Sequence, residues 1–471
     1  MLFNSIEFLI FFPIVTLLYF VLPHKYRWIH LLAASCIFYM FFIPQYILIL
    51  ASTIIIDYIA GIWIEKTPDQ KKKKRYLILS IVFTCLVLVI FKYLDFFHQN
   101  MITLSHILGF PYPEKVIRII LPIGLSFHTF QSLSYVIEVY KGNHKAEKHF
   151  GIYSLYVMFF PQLVTGPIER PQNLLTQLNE KKQFQYKNIA HGLRLILFGL
   201  FVKMVIADNL ATYVDLIYGD PTQYNTKSIL LGLFFYSFQI YGDFFGYSTI
   251  AVGCAKVMGY NLMDNFKNPY LSKSIAEFWQ RWHISLSTWF RDYVYFSLGG
   301  NRVKVQRWVL NIMIVFLLSG FWHGAEWTFI FWGAAHGVLH VFEKFTRRIF
   351  KFTTNNNVLN LIISVFRVAK TFILVSFIWV FFRSPNISHV KTIASSMIHN
   401  LKTVDDFSVA PRVYIFLGLF ILMDIALFNT RFDKWCDTKS TVIRWIIYTV
   451  LIFSIIAFAS VESFPFIYFQ F

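Results

Sequence analysis

Charge is what this sequence has least of. Only 14% of its 471 residues are Asp, Glu, Lys or Arg, against about 25% in an ordinary soluble protein. A soluble fold needs that polar complement to cover its exterior, so an array of water-soluble domains is excluded. Cysteine is scarce as well. Cys36, Cys85, Cys254 and Cys436 are the four present; three lie in apolar runs and none pair at zinc or redox spacing, which reads as small buried hydrophobes rather than a disulfide scaffold. The N-terminus lacks a basic leader stretch and a small-residue cleavage site, so residues 5–22 read as a retained span and not as a removed signal peptide. There is no Gly-x-Ser-x-Gly elbow, no Walker-type loop and no internal repeat. A serine hydrolase, a P-loop enzyme and an inverted-repeat transporter therefore find no motif to rest on.

What fills the chain instead is apolar: 56% hydrophobic, 20% aromatic, with 54 Phe. A bilayer-spanning helix needs about 20 such residues in a row. Runs at about 5–22, 28–43, 46–64, 76–97, 117–139, 151–168, 189–207, 228–256, 308–342, 358–382, 412–430 and 442–461 predict an all-α polytopic membrane protein of about eleven spanning helices. Pro44-Gln45 divides the second run from the third, and Gly320 and Gly324 suggest a break inside 308–342. The formal net charge of +18 is spread over short basic segments between these runs, which is the positive-inside pattern and no sign of nucleic-acid binding. Lys25–Arg27 and the loop 65–75 share one side of the membrane. Both are basic, so that side is expected to be cytoplasmic and the N-terminus outside.

Residues 264–307 do not read as lipid-facing helix, because aromatics there are mixed with Arg281, Arg291, Asp292 and Arg302. Phe278, Trp282, Ser285 and Trp289 share one helical face, which fits either an amphipathic interfacial helix or a re-entrant segment between spans. Ionisable groups at membrane depth are costly and tend to face an interior site. Six of the 14 His sit in such surroundings: His128, His191, His283, His323, His336 and His340. His323 stands out, flanked by glycine in Ser319-Gly-Phe-Trp-His-Gly-Ala-Glu-Trp327, where a neutral imidazole suits a general base. Glu326 would lie one turn on if the helix persists. His283 is the second candidate. Spacing alone leaves open whether the two meet. His336 and His340 share a helical face as a metal or haem pair would, but no zinc-protease Glu lies between them, and no metal is expected.

Two stretches, Phe278-Trp-Gln-Arg-Trp-His283-Ile-Ser-Leu-Ser-Thr-Trp-Phe-Arg-Asp-Tyr-Val-Tyr with Leu298-Gly-Gly-Asn-Arg302, and Gly320-Phe-Trp-His323-Gly-Ala, resemble the membrane-bound O-acyltransferase (MBOAT) family, in its alginate O-acetyltransferase-like branch. Met1–Ser5, Gln162–Arg170, Gln239–Tyr247 around Asp243, Trp379–Arg383 and Phe466–Phe471 extend the resemblance over nearly the whole chain. Relatives more often carry an aromatic at Gly242, a small residue at Phe245 and an acid at Thr249. The resemblance implies one MBOAT transmembrane domain over 1–471 with its motif core at about 160–345. It implies His323 as the near-invariant histidine and His283 as its partner. It also implies an acetyl group taken from acetyl-CoA or another acyl thioester, with no tightly bound cofactor, and passed to hydroxyls of an extracytoplasmic polysaccharide. Arg281, Arg291, Asp243 and Glu326 are expected to assist in binding substrate. An SGNH-hydrolase-like partner outside, and a place in the bacterial inner membrane, belong to the same expectation. A glycan-precursor transporter or flippase is the alternative reading.

Overall fold

The computed structural model describes residues 1–113, 121–164, 166–349, 356–402, 404–460 and 464–469. Among them there are helices and turns and no strand. Among the described residues seven helices are long and apolar enough to cross a membrane, against a dozen apolar runs in the sequence. Some runs form helices too short to count: Ile6–Val21 has 16 residues, His24–Met40 has 17 and Pro411–Ala426 has 16. The run at 151–168 is interrupted. Phe150–Met158 ends, and Phe160–Leu163 restarts with Pro161 near its head, because proline has no N–H to continue the ladder. The start of the 117–139 run lies outside the described residues, as do Thr165, Gln470 and Phe471 of the family-like motifs.

The break sought within 308–342 is present. Val305–His323 stops at Gly324, and Trp327–Ile349 begins three residues later. The two helices can close on each other because Gly320 and Gly333 face across the contact. A Cβ on Gly320 would stand 2.3 Å from the Phe329 carbonyl oxygen, and one on Gly333 2.3 Å from that of Phe316. Any side chain there would push the hairpin open.

The chain divides into two compact units, residues 1–196 with 250–263, and residues 197–249 with 264–471. In the first, Asp57 is fully buried on Ile47–Lys66. Ser80 (2.5 Å), Thr84 (3.1 Å) and Ser132 donate hydroxyls to its carboxylate from two neighbouring helices. Such a buried acid demands this many partners. The same unit holds the polar turn after Leu163. Glu169 accepts from the Met263 N–H (2.6 Å) and the Asn173 amide (2.7 Å), and burial pushes its carboxyl up to about 7.

The second unit carries both candidate histidines. Its segment 264–307 is not one amphipathic helix. It makes Ile275–Arg281, Ile284–Trp289 and a π-turn Phe290–Tyr295, broken at His283, whose φ is 42°. Phe278, Trp282, Ser285 and Trp289 are buried all the same, so the aromatic pattern marked interior contact rather than an interfacial face. The Leu298–Arg302 turn uses positive φ at Gly299 and Gly300 and is held by the Asn311 amide, which donates to Leu298 (3.1 Å) and Gly300 (3.2 Å).

Candidate active site

His283 sits at the left-handed residue between two short helices, a conformation that non-glycine residues rarely adopt. Asn265 holds it there. Its carbonyl accepts from the Ile284 N–H (2.9 Å) and its side-chain oxygen from the Ser285 N–H (3.2 Å). The same side-chain oxygen lies 3.4 Å from His283 Nδ1. Local strain of this kind persists only where surroundings over-determine it. The imidazole is completely buried.

His323 is the last residue of Val305–His323 and is 2% exposed. Its ring centroid lies 6.5 Å from that of His283. That is too far for directly bonded imidazoles, yet close enough for both to reach one group between them. Aromatic rings close the space: Trp332 at 4.9 Å and Phe382 at 5.3 Å from His323, and Phe244 at 4.6 Å from His283. The histidines, 40 positions apart in the chain, thus share one site.

The fourth wall was not foreseen. Tyr468, near the end of the chain, places its ring 5.5 Å from His323 and 6.3 Å from His283. What holds this segment is a buried ion cluster that the sequence reading overlooked. Lys203 Nζ lies 2.6 Å from Asp208 and 2.7 Å from Asp243, and donates to the Phe464 carbonyl at 3.1 Å. Asp243 in turn accepts the Ile467 N–H at 2.7 Å. Lys203 is part of a π-turn, Val202–Ala207, a distortion common at functional sites. The Ser460 N–H caps its Met204 carbonyl at 3.3 Å. The signal was available: a lysine inside the apolar run 189–207 needs a partner, and Asp208 lies just beyond that run.

The remaining candidates fall elsewhere. Asp243 serves Lys203 and the Ile467 N–H, one residue before Phe244. Glu326 is exposed in the turn before Trp327, and since the helix stops at His323 the one-turn relation does not arise. Arg281 bonds Glu277 (2.9 Å), the Lys267 carbonyl (3.0 Å) and Asn429 (3.0 Å). It lines an open cavity of about 430 Å³ with Lys267 and Gln280. Arg291 is exposed and pairs with Asp292 at 2.8 Å. His336 is buried against Trp279 and Trp332, and His128 and His191 are buried in the first unit. Among the described residues no group of three or more His, Cys, Asp or Glu could hold a metal ion.

Fold and site together define a multi-pass membrane protein with an interior histidine pair. The model of the membrane-bound O-acyltransferase family, MBOAT, matches residues 148–384. A probable alginate O-acetylase of Azotobacter vinelandii is 38% identical over 391 residues, 82% of this chain and 76% of its own. A probable alginate O-acetylase of Pseudomonas putida is 34% identical over 498 residues, the full length of both. A peptidoglycan O-acetyltransferase of Helicobacter pylori is 34% identical over 435 residues, 84% of this chain and 80% of its own. The chain belongs to the membrane-bound O-acyltransferase family and is an O-acyltransferase.

Proposed function

We propose that this enzyme moves an acetyl group from a cytoplasmic thioester, acetyl-CoA or another acyl carrier, to hydroxyls of an extracytoplasmic polysaccharide. The observation that carries the reading is the approach of the His283 and His323 rings in a buried, aromatic-walled site. The relatives named for alginate and peptidoglycan support the acceptor class. His323 takes the proton of the acceptor hydroxyl as its oxygen attacks the thioester carbonyl. The tetrahedral intermediate collapses, the C–S bond breaks, and the imidazolium returns the proton to the leaving thiolate. His283, fixed by Asn265, polarises or orients the reacting carbonyl.

The enzyme sits in the bacterial inner membrane with its N-terminus outside, and an SGNH-hydrolase-like protein outside receives or relays the acyl group. Arg281 and Arg291 bind the donor's phosphates at the cytoplasmic mouth, a task that suits guanidinium forks. The test is donor kinetics of the purified enzyme at fixed ionic strength. Arg281→Ala should raise the donor KM with kcat changed less. Unchanged KM in both Arg281→Ala and Arg291→Ala would leave these arginines to lipid contact and intramolecular bonding.

A further inference from the structure

The first unit contains a basic cavity of its own. A cavity of about 310 Å³ opens at the turn between Ile6–Val21 and His24–Met40 and is lined by His24, Lys25, Arg27, Trp28, His149 and Tyr260, among others. No carboxylate lines it. Arg27 gives its guanidinium to three carbonyls, those of Leu22 (3.0 Å), Lys182 (2.5 Å) and Phe20 (3.3 Å), and stacks on Tyr19 at 4.9 Å. Its position is fixed, yet no acid among the described residues neutralises it. The acids of the adjoining loops are engaged. Glu180 pairs with Lys182 at 2.6 Å. Glu147 accepts from the His149 N–H (2.9 Å) and the Asn179 amide (3.1 Å). His149 Nδ1 accepts the Ile152 N–H at 3.2 Å, so a neutral ring keeps its proton on Nε2, as a donor. Trp28 packs on that ring at 4.6 Å.

A guanidinium fixed in place without a carboxylate partner among the described residues, beside an exposed lysine, suits a phosphate group. Leu17, Leu18 and Val21 are exposed in the last turns of Ile6–Val21, an apolar track on the helix that ends at the cavity and a surface available to an acyl chain. We propose that this cavity binds the phosphate of an anionic phospholipid at the membrane surface. The chemistry required is a phosphate ester on an apolar chain; a free phosphate compound would satisfy the cations but not the track.

The test uses the full-length protein in neutral detergent and follows thermal unfolding during titration. The probes are dioctanoyl phosphatidylglycerol, dioctanoylglycerol without phosphate, and inorganic phosphate. The phospholipid should raise the unfolding temperature saturably and dioctanoylglycerol should not. Lys25→Glu alters an exposed side chain and should weaken the apparent affinity by about 10-fold, the effect of turning an attractive contact repulsive at close range. Arg27→Lys keeps one charge, loses the fork and should weaken it as well. Equal stabilisation by inorganic phosphate and phospholipid would overturn the lipid source in favour of a soluble phosphate ligand. Equal stabilisation by dioctanoylglycerol, or full affinity in a folded Lys25→Glu variant, would overturn the site.

Discussion

Replacing Lys203 with methionine keeps most of the length of the side chain and removes its charge. The lysine is 1% exposed and meets Asp208 at 2.6 Å and Asp243 at 2.7 Å. Both carboxylates are themselves 4% exposed, so without the cation two like charges are left buried. Breaking such a cluster by removing one partner costs about 3–5 kcal/mol. The lost bond to the Phe464 carbonyl adds about 1 kcal/mol. The triple variant Lys203→Met with Asp208→Asn and Asp243→Asn removes all three charges and should recover most of that loss, since the amide oxygen introduced by Asp243→Asn can still accept the Ile467 N–H. Unfolding by denaturant in mixed micelles measures the stability of each form, and acyl transfer measured alongside reports the tail. With the clamp gone, Tyr468 is no longer held 5.5 Å from His323, so Lys203→Met should lose activity even where it remains folded. A single variant within about 0.5 kcal/mol of wild type would refute the clamp, as would a triple variant no more stable than the single one.

Two further outcomes follow from the same geometry. His283→Ala should lower kcat by about 10²-fold or more, as expected for a group sharing the acid–base or carbonyl-polarising work; activity within twofold of wild type would reduce the residue to a packing role. For topology, five Lys and one Arg stand between residues 65 and 75. A cysteine introduced at Gln70 should resist an impermeant thiol reagent in intact cells and react after permeabilisation. Labelling in intact cells would invert the orientation.

Much of this architecture was legible because a membrane leaves the chain few choices. The break at Gly324, the turn at Pro44 and the helix over 226–257 follow from glycine, proline and apolar length. The number of spans was harder. Apolar length does not separate a full crossing from the 16-residue helices at Ile6–Val21 and Pro411–Ala426. Period reasoning over 278–289 found the buried residues but missed the left-handed turn at His283, which depends on Asn265, 18 positions upstream. For the same reason spacing could not bring His283 to His323, nor the chain's final segment to both; those meetings are set by tertiary contacts. Lys203 was the readable exception, a charge in an apolar run whose partners could have been sought.

The role proposed for His323 is that of the base for acyl transfer. Its most direct test is O-acyl ester on the extracellular polysaccharide of cells carrying His323→Ala, set beside the amount of the variant protein in the membrane. An imidazole's ordinary pKa suits proton transfer near neutrality. The expected result is normal membrane abundance with ester reduced to the level of cells lacking the protein. Wild-type ester at normal abundance would contradict it.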